Sequence, residues 1–258
     1  MAGELSDLST ADLRGLIDAR DSLKVRPQGL AGGEIQFRNL WRRLSGKRMI
    51  HKPEQVRQLG QQLGRAFRSL ADITGARVIV DTSKSSAHGF ILRQIDTIDL
   101  YEVHLVRDSR AVAYSWRKKD KLYDMLDGKP RHFPQRNTIA SMADWVWSNM
   151  SAESLFPRAM RAEHYQRVRY EDLVKSPRRT ITSIIEKVDS ESTFGFINPD
   201  ETVRLEGNHM VAGNPSLFSQ GSVRLKQDEE WRTRLPFGQK ILALLTSLPW
   251  MLRYRYLL

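Results

Sequence analysis

Two short β-branched runs constrain this chain most: one spans residues 76–81 with Val78, Ile79 and Val80, the other residues 101–106 with Val103, Leu105 and Val106. About 20 residues with a helical pattern separate them, too many for a hairpin and enough for a crossover helix. A strand, a helix and a second strand in this order place the two strands parallel, with both C-terminal ends on one edge. Ligands of open parallel sheets sit at that edge. Both runs are expected to be buried strands.

The rest of the chain continues the alternation. Val56, Leu59, Leu63, Phe67 and Leu70 recur at three- and four-residue steps after Pro53 and stop at Gly75, which predicts one amphipathic helix. Further helices are expected over 109–118 and 138–156, a polar connection between Asp120 and Gln135, and a third strand over 165–170. Ser176 before Pro177, with Ile181, Ile184, Ile185 and Val188 on one face, marks another helix start. An α/β domain is therefore expected over residues 51–258. Residues 1–50 read as a variable helical and loop segment, with a charged helix over 9–24 followed by a glycine-rich loop.

At 258 residues the chain suits one main domain. Lys and Arg total 41 against 30 for Asp and Glu, a formal charge of +11 that favours an anionic partner without choosing among nucleotide, nucleic acid and membrane surface. The absence of cysteine excludes disulfides, thiolate catalysis and Cys-ligated zinc. The six histidines are scattered without ligand spacing, so no metal is expected. The acidic, polar N-terminus lacks the pattern of a secretory leader. The most apolar stretch, Ile241 to Leu252, is shorter than the roughly 20 residues that span a bilayer and reads as a buried helix. A cytoplasmic protein with no transmembrane segment is the expectation.

The segment HLVRDSRAVAYSW, residues 104–116, carries the most chemistry. A strand ends at Arg107 and a helix begins at Asp108 or Ser109, so a guanidinium meets a helix N-terminus, where free N–H groups and the dipole favour an anion. Ser115 lies seven residues past Asp108, on the same helical face and about 10 Å along the axis. Arg107 and Ser115 suit the two ends of a bound phosphate. On spacing alone, a surface ion pair for Arg107 and a packing role for Ser115 stay equally open.

VHLVRDSRAVAYSW resembles the 3′-phosphate-binding segment of sulfotransferases that use 3′-phosphoadenosine 5′-phosphosulfate (PAPS), especially the bacterial type. Three further stretches resemble the same family in the same order: VIVDTSKSS at 78–86, RVRYEDLVKSPRRTI at 167–181, and GNHMVAGNPSLF through DEEW in the C-terminal part. The resemblance covers about residues 53–255. It implies a P-loop-NTPase-like three-layer α/β fold with a mainly parallel central sheet, and transfer of a sulfuryl group from PAPS to a hydroxyl or amine acceptor. Arg107 and Ser115 would bind the 3′-phosphate. Arg224 would reach a phosphate of the donor, and the turn holding Gly213 and Asn214 would line its edge.

Sulfuryl transfer builds negative charge on the departing phosphate, which a cation stabilises. Lys84, just past the first strand, is placed at the sheet edge for that role; a solvated surface lysine is the other reading. His88, four residues on, would share a helix face with Lys84 and accept the acceptor's proton, or serve only the structure. Asp81 and Glu171 are the other nearby carboxylates, each a base or an ion-pair partner. Trp231 reads as a core anchor rather than a stacking platform.

The resemblance breaks at the N-terminal side. The family grips the 5′-phosphosulfate with a strand, a short Ser/Thr- and Gly-containing loop and a helix, and nothing of that form precedes residue 76. Ser45-Gly46-Lys47 follows what reads as a helix, and no GxxxxGK[ST] is present. The sheet is thus expected to be incomplete at its N-terminal strand. The piece belongs to a separate partner polypeptide or was lost, the protein is a catalytically silent PAP- or PAPS-binding module, or residues 1–50 supply the loop in another form. A basic nucleic-acid-binding protein is the rival from another class. Its clusters are short, no nucleic-acid motif accompanies them, and no nucleic acid is expected as partner. The acceptor, whether carbohydrate, lipid or small molecule, would be chosen by loops with no distinctive chemistry.

Overall fold

The structure is a computed structural model, and it describes residues 53–82, 86–119, 122–123, 131–132, 135–156, 160–189, 195–205 and 221–257. It is an α/β protein, about 60% helical over those residues, with one small parallel sheet of two strands. The chain divides into two compact units, residues 1–102 with 154–157, and residues 103–153 with 158–257 and the C-terminal Leu258. The expected boundary at 50/51 lies outside the described residues.

In the first unit, α1 (Pro53–Thr74) packs on α2 (Ser86–Leu92). Leu63, Ile91 and Leu92 form the buried centre, and Leu59, Phe67, Ile95, Ile98 and Leu100 close around it. Leu59, Leu63 and Phe67 are the stripe that the 3.6-residue period marks out. Gly64 lets the helix approach Ile95, since a Cβ there would stand 3.1 Å from the Ile95 Cγ2. Gly75 ends α1 with φ of +64°, the left-handed conformation that a glycine adopts at little cost.

Residues 76–81, expected as the first strand, form no strand among the described residues. Val80 is 82% exposed and Val78 41%. A β-branched run has the backbone preference for a strand, but a strand exists only where a neighbour takes its hydrogen bonds.

The second unit is built on β1 (Glu102–Val106), which pairs with β4 (Tyr165–Arg169) as the parallel sheet. Against it pack α3 (Ser109–Arg117), α4 (Thr138–Ser154) and α9 (Phe237–Arg253), named in a series that also includes β2 (Leu122–Tyr123), β3 (Arg131–His132), α5 (Arg161–His164), α6 (Tyr170–Lys175), α7 (Pro177–Val188), β5 (Thr202–Leu205), β6 (Gly221–Arg224) and α8 (Glu230–Arg234). Val106, Ala113, Met142, Trp145, Ala243, Met251 and Tyr254 form its core. Small residues bring α3 and α9 together: the hydroxyls of Ser109 and Ser247, both fully buried, lie 2.8 Å apart.

Two elements are less buried than expected. In β1, His104 and Val106 face the core while Val103 and Leu105 are exposed, so the strand is covered on one face only. Helix α9 buries Ala243, Ser247 and Met251 and leaves Phe237, Ile241, Leu245 and Leu252 exposed. The polar connection after α3 contains a small antiparallel pair, with Leu122 opposite His132 and Tyr123 opposite Arg131. β5 and β6 form a second antiparallel pair, in which Thr202 faces Arg224. No helix among the described residues is long and apolar enough to cross a membrane.

Candidate anion site at the end of the parallel strands

Because β1 and β4 run parallel, the residues that follow each strand arrive at the same edge. β1 delivers Arg107 and Asp108; β4 delivers Arg169, Tyr170 and Glu171. Asp108 caps α3, its side chain accepting from the Arg110 N–H at 2.8 Å and its carbonyl from the Val112 N–H at 3.0 Å. The Arg107 carbonyl is fixed from behind by the Trp145 indole N–H at 3.1 Å. The strand-to-helix junction is therefore held on both sides.

The Arg107 guanidinium lies over the Tyr170 ring, 4.5 Å from its centroid, which orients the planar fork. One of its terminal nitrogens donates to Asp228, at 3.1 Å to the carbonyl and 3.1 Å to the carboxylate. Its Nε is buried and has no hydrogen-bond partner. Lys118 stands 3.7 Å from the same Asp228 carboxylate and 3.1 Å from that of Glu230. Partial burial pushes the Asp228 carboxyl up, but the Arg107 hydrogen bond, the Glu230 N–H and the Lys118 charge outweigh it and hold it below the usual range.

Beside this pair lies a cleft of about 200 Å³ whose walls include Arg110, Arg169, Asp108, Glu171, Trp231 and Tyr256. Arg110 grips Asp108 through two nitrogens, at 3.1 and 2.7 Å, and lies 4.6 Å from the Trp231 centroid. Arg169 lies 4.4 Å from the Tyr256 centroid, and its Nε is also buried without a partner. The Tyr256 hydroxyl donates to Glu171 at 2.7 Å and sits 3.0 Å from the Val106 carbonyl. Burial first, then the Glu171 charge, pushes the Tyr256 phenol well above its ordinary range, so it serves as a donor. Two buried guanidinium N–H groups without acceptors, at one strand edge, are what an anion would satisfy.

Of the residues assigned from sequence, Arg107 directly precedes the N-cap of α3 and Ser115 lies half-buried two turns along that helix; neither is among the residues that line the cleft. Arg224 does not line the cleft either. It ends β6 in an ion pair with Asp200 at 3.3 Å, both side chains more than half exposed. His88 lies in the other unit, its Nε2 2.7 Å from the Asp81 carboxylate, which makes Asp81 its partner. Lys84, Gly213, Asn214 and Ser45-Gly46-Lys47 fall outside the described residues. Trp231 is the core anchor expected, 7% exposed and packed with Ala111 and Leu235. Among the described residues no group of His, Asp and Glu is disposed to hold a metal.

Sequence reasoning missed Asp228, Tyr170, Lys118 and Tyr256. Tyr170 and Glu171 had a signal, because they directly follow a strand parallel to β1. Asp228 opens the DEEW run at the end of the C-terminal stretch quoted above, but nothing local pointed to Arg107 as its partner. Comparisons with protein-family models, with curated proteins and with solved structures found no match to this chain.

Proposed function

We propose that this chain binds PAPS through its 3′-phosphate and transfers the sulfuryl group to a hydroxyl or amine of an acceptor. One observation supports the reading above others: Arg107, stacked on Tyr170 at the N-terminus of α3, holds a carboxylate through one terminal nitrogen and keeps a buried Nε without an acceptor. A phosphate oxygen would give that Nε the acceptor it lacks, which is what supports the reading. Ser115 supplies a hydroxyl further along the same helix face.

PAPS supplies an activated sulfuryl group whose bond to the phosphate oxygen breaks as the acceptor's oxygen or nitrogen bonds to sulfur. In this chain Arg107 and Ser115 bind and orient the donor. Lys84 is the proposed cation for the charge growing on the departing phosphate, and His88 the proposed acceptor of the proton. With its Nε2 on Asp81, His88 offers Nδ1 for that proton.

The test is a calorimetric titration with PAP (adenosine 3′,5′-bisphosphate) and AMP, on the wild-type chain and on Arg107→Ala. PAP is expected to bind and AMP to bind far more weakly. Arg107→Ala is expected to cost PAP about 30-fold or more, corresponding to about 2 kcal/mol for a charge-assisted hydrogen bond. Equal binding of PAP and AMP, or none, would overturn the reading. PAP binding without turnover of PAPS on any acceptor class would assign the chain as a binding module.

A further inference from the structure

We propose that Asp228 is a latch on the Arg107 anion site, occupying the place of the ligand's phosphate until it is displaced; this rests on the reading of Arg107 given above. Asp228 offers two oxygens to one guanidinium nitrogen, its carbonyl and its carboxylate, each at 3.1 Å. An anionic oxygen thus already occupies a position where a phosphate oxygen would meet the guanidinium, through one nitrogen rather than the two of a bidentate pair. The match is incomplete, since Arg107 Nε stays buried without an acceptor. Two cations, Arg107 and Lys118, also converge on one carboxylate. A phosphate carries more charge and more oxygens than a carboxylate, and would serve both cations and the orphan N–H together.

The backbone is suited to release. Residues 225–229 belong to neither a helix nor a strand, so moving Asp228 breaks no sheet or helix ladder and, besides its Arg107 and Lys118 contacts, gives up the hydrogen bond from the Glu230 N–H at 3.2 Å. Three residues on, buried Trp231 anchors the start of α8 against Ala111 and Leu235. The acidic residue can therefore swing about a fixed point. Lys118 stays anchored when Asp228 leaves, because it also pairs with Glu230 at 3.1 Å. The latch makes ligand affinity the difference between two anions competing for one guanidinium, rather than the full strength of the Arg107 contact.

The test compares PAP affinity for wild type, Asp228→Asn, Asp228→Ala and Arg107→Ala, together with hydrogen–deuterium exchange over residues 225–230 of the wild type with and without PAP. Removing the competing charge is expected to tighten PAP binding about tenfold in both Asp228 variants. PAP is also expected to speed exchange in that segment. If the wild type binds PAP but the Asp228 variants bind it equally or more weakly, and exchange slows, Asp228 is a permanent brace and the latch is wrong while the site stands. If neither wild type nor Asp228→Asn binds PAP, the site reading falls and the latch with it. The exchange measurement decides the question even where a variant fails to fold.

Discussion

His104 shows how a single side chain in this fold is committed to one protonation state. It is 6% exposed, with Nδ1 2.7 Å from the Tyr165 hydroxyl and Nε2 2.9 Å from the Asn149 side-chain oxygen. Asn149 donates its own amide to the Trp145 carbonyl, so its oxygen faces His104 and accepts from Nε2–H; Nδ1 then accepts from Tyr165. The neutral ring satisfies every partner, and a second proton would leave Nδ1–H facing the Tyr165 hydroxyl. Burial lowers the His104 pKa below 6.5, more than the Asn149 bond and the Glu153 charge raise it. As pH falls through 6.5 the unfolded chain takes up this proton before the folded one, so stability is lost, with a slope of at most about 1.4 kcal/mol per pH unit from one group. Urea denaturation between pH 7.5 and 5 is expected to show that slope in wild type and a flatter one in His104→Gln. Equal slopes would mean that the ring charges without penalty in the fold. Arg107 was legible at this scale because its signal is local, a strand running into a capped helix. Its partner Asp228 lies 121 residues away, and only packing brings it there.

Among the elements, α1 was legible from period alone, whereas residues 76–81 were not, and the difference is physical. A helix makes its hydrogen bonds within itself, so a sequence pattern suffices to specify it. A strand depends on a neighbour that no local pattern supplies. The same reasoning explains α9 and β1, where apolar content indicated burial but not how many faces would be covered. Helix α1 also carries an unspent reserve of stability at Gly60. A Cβ there would meet Ile91 Cγ2 and Ile95 Cγ1 at 3.8 Å each, ordinary contact distances. Gly60→Ala would thus add helix propensity and apolar contact without a clash, and is expected to stabilise by about 0.5–1 kcal/mol. Gly64 is the control: its Cβ would stand 3.1 Å from Ile95, so Gly64→Ala is expected to gain less or to lose. Thermal melts of the two variants check this, and a destabilised Gly60→Ala would show that α1 and α2 pack more tightly than these distances imply.

At the scale of the whole molecule, the charge of +11 was legible from composition, but what it serves was not. Some of the 41 basic side chains are held in ion pairs, Arg110 with Asp108, Arg224 with Asp200, Arg253 and Arg167 with Glu153, and the excess of +11 is what such pairs leave over. A diffuse basic surface and one preorganised guanidinium site answer differently to salt. Binding at Arg107 is local, partly buried and limited to a few phosphate oxygens, so screening reaches it weakly. PAP affinity is expected to fall by less than about tenfold between 50 and 200 mM salt. A polynucleotide held by six or more phosphate contacts would lose about 10³-fold over the same interval. Titrating PAP and a mixed-sequence oligonucleotide across that range separates the two uses of the charge. Shallow salt dependence for PAP, abolished in Arg107→Ala, would assign the anion preference to the strand edge. Tight, steeply salt-dependent oligonucleotide binding that PAP does not compete away would place it on the basic surface instead, and the sulfotransferase reading would then have no electrostatic support.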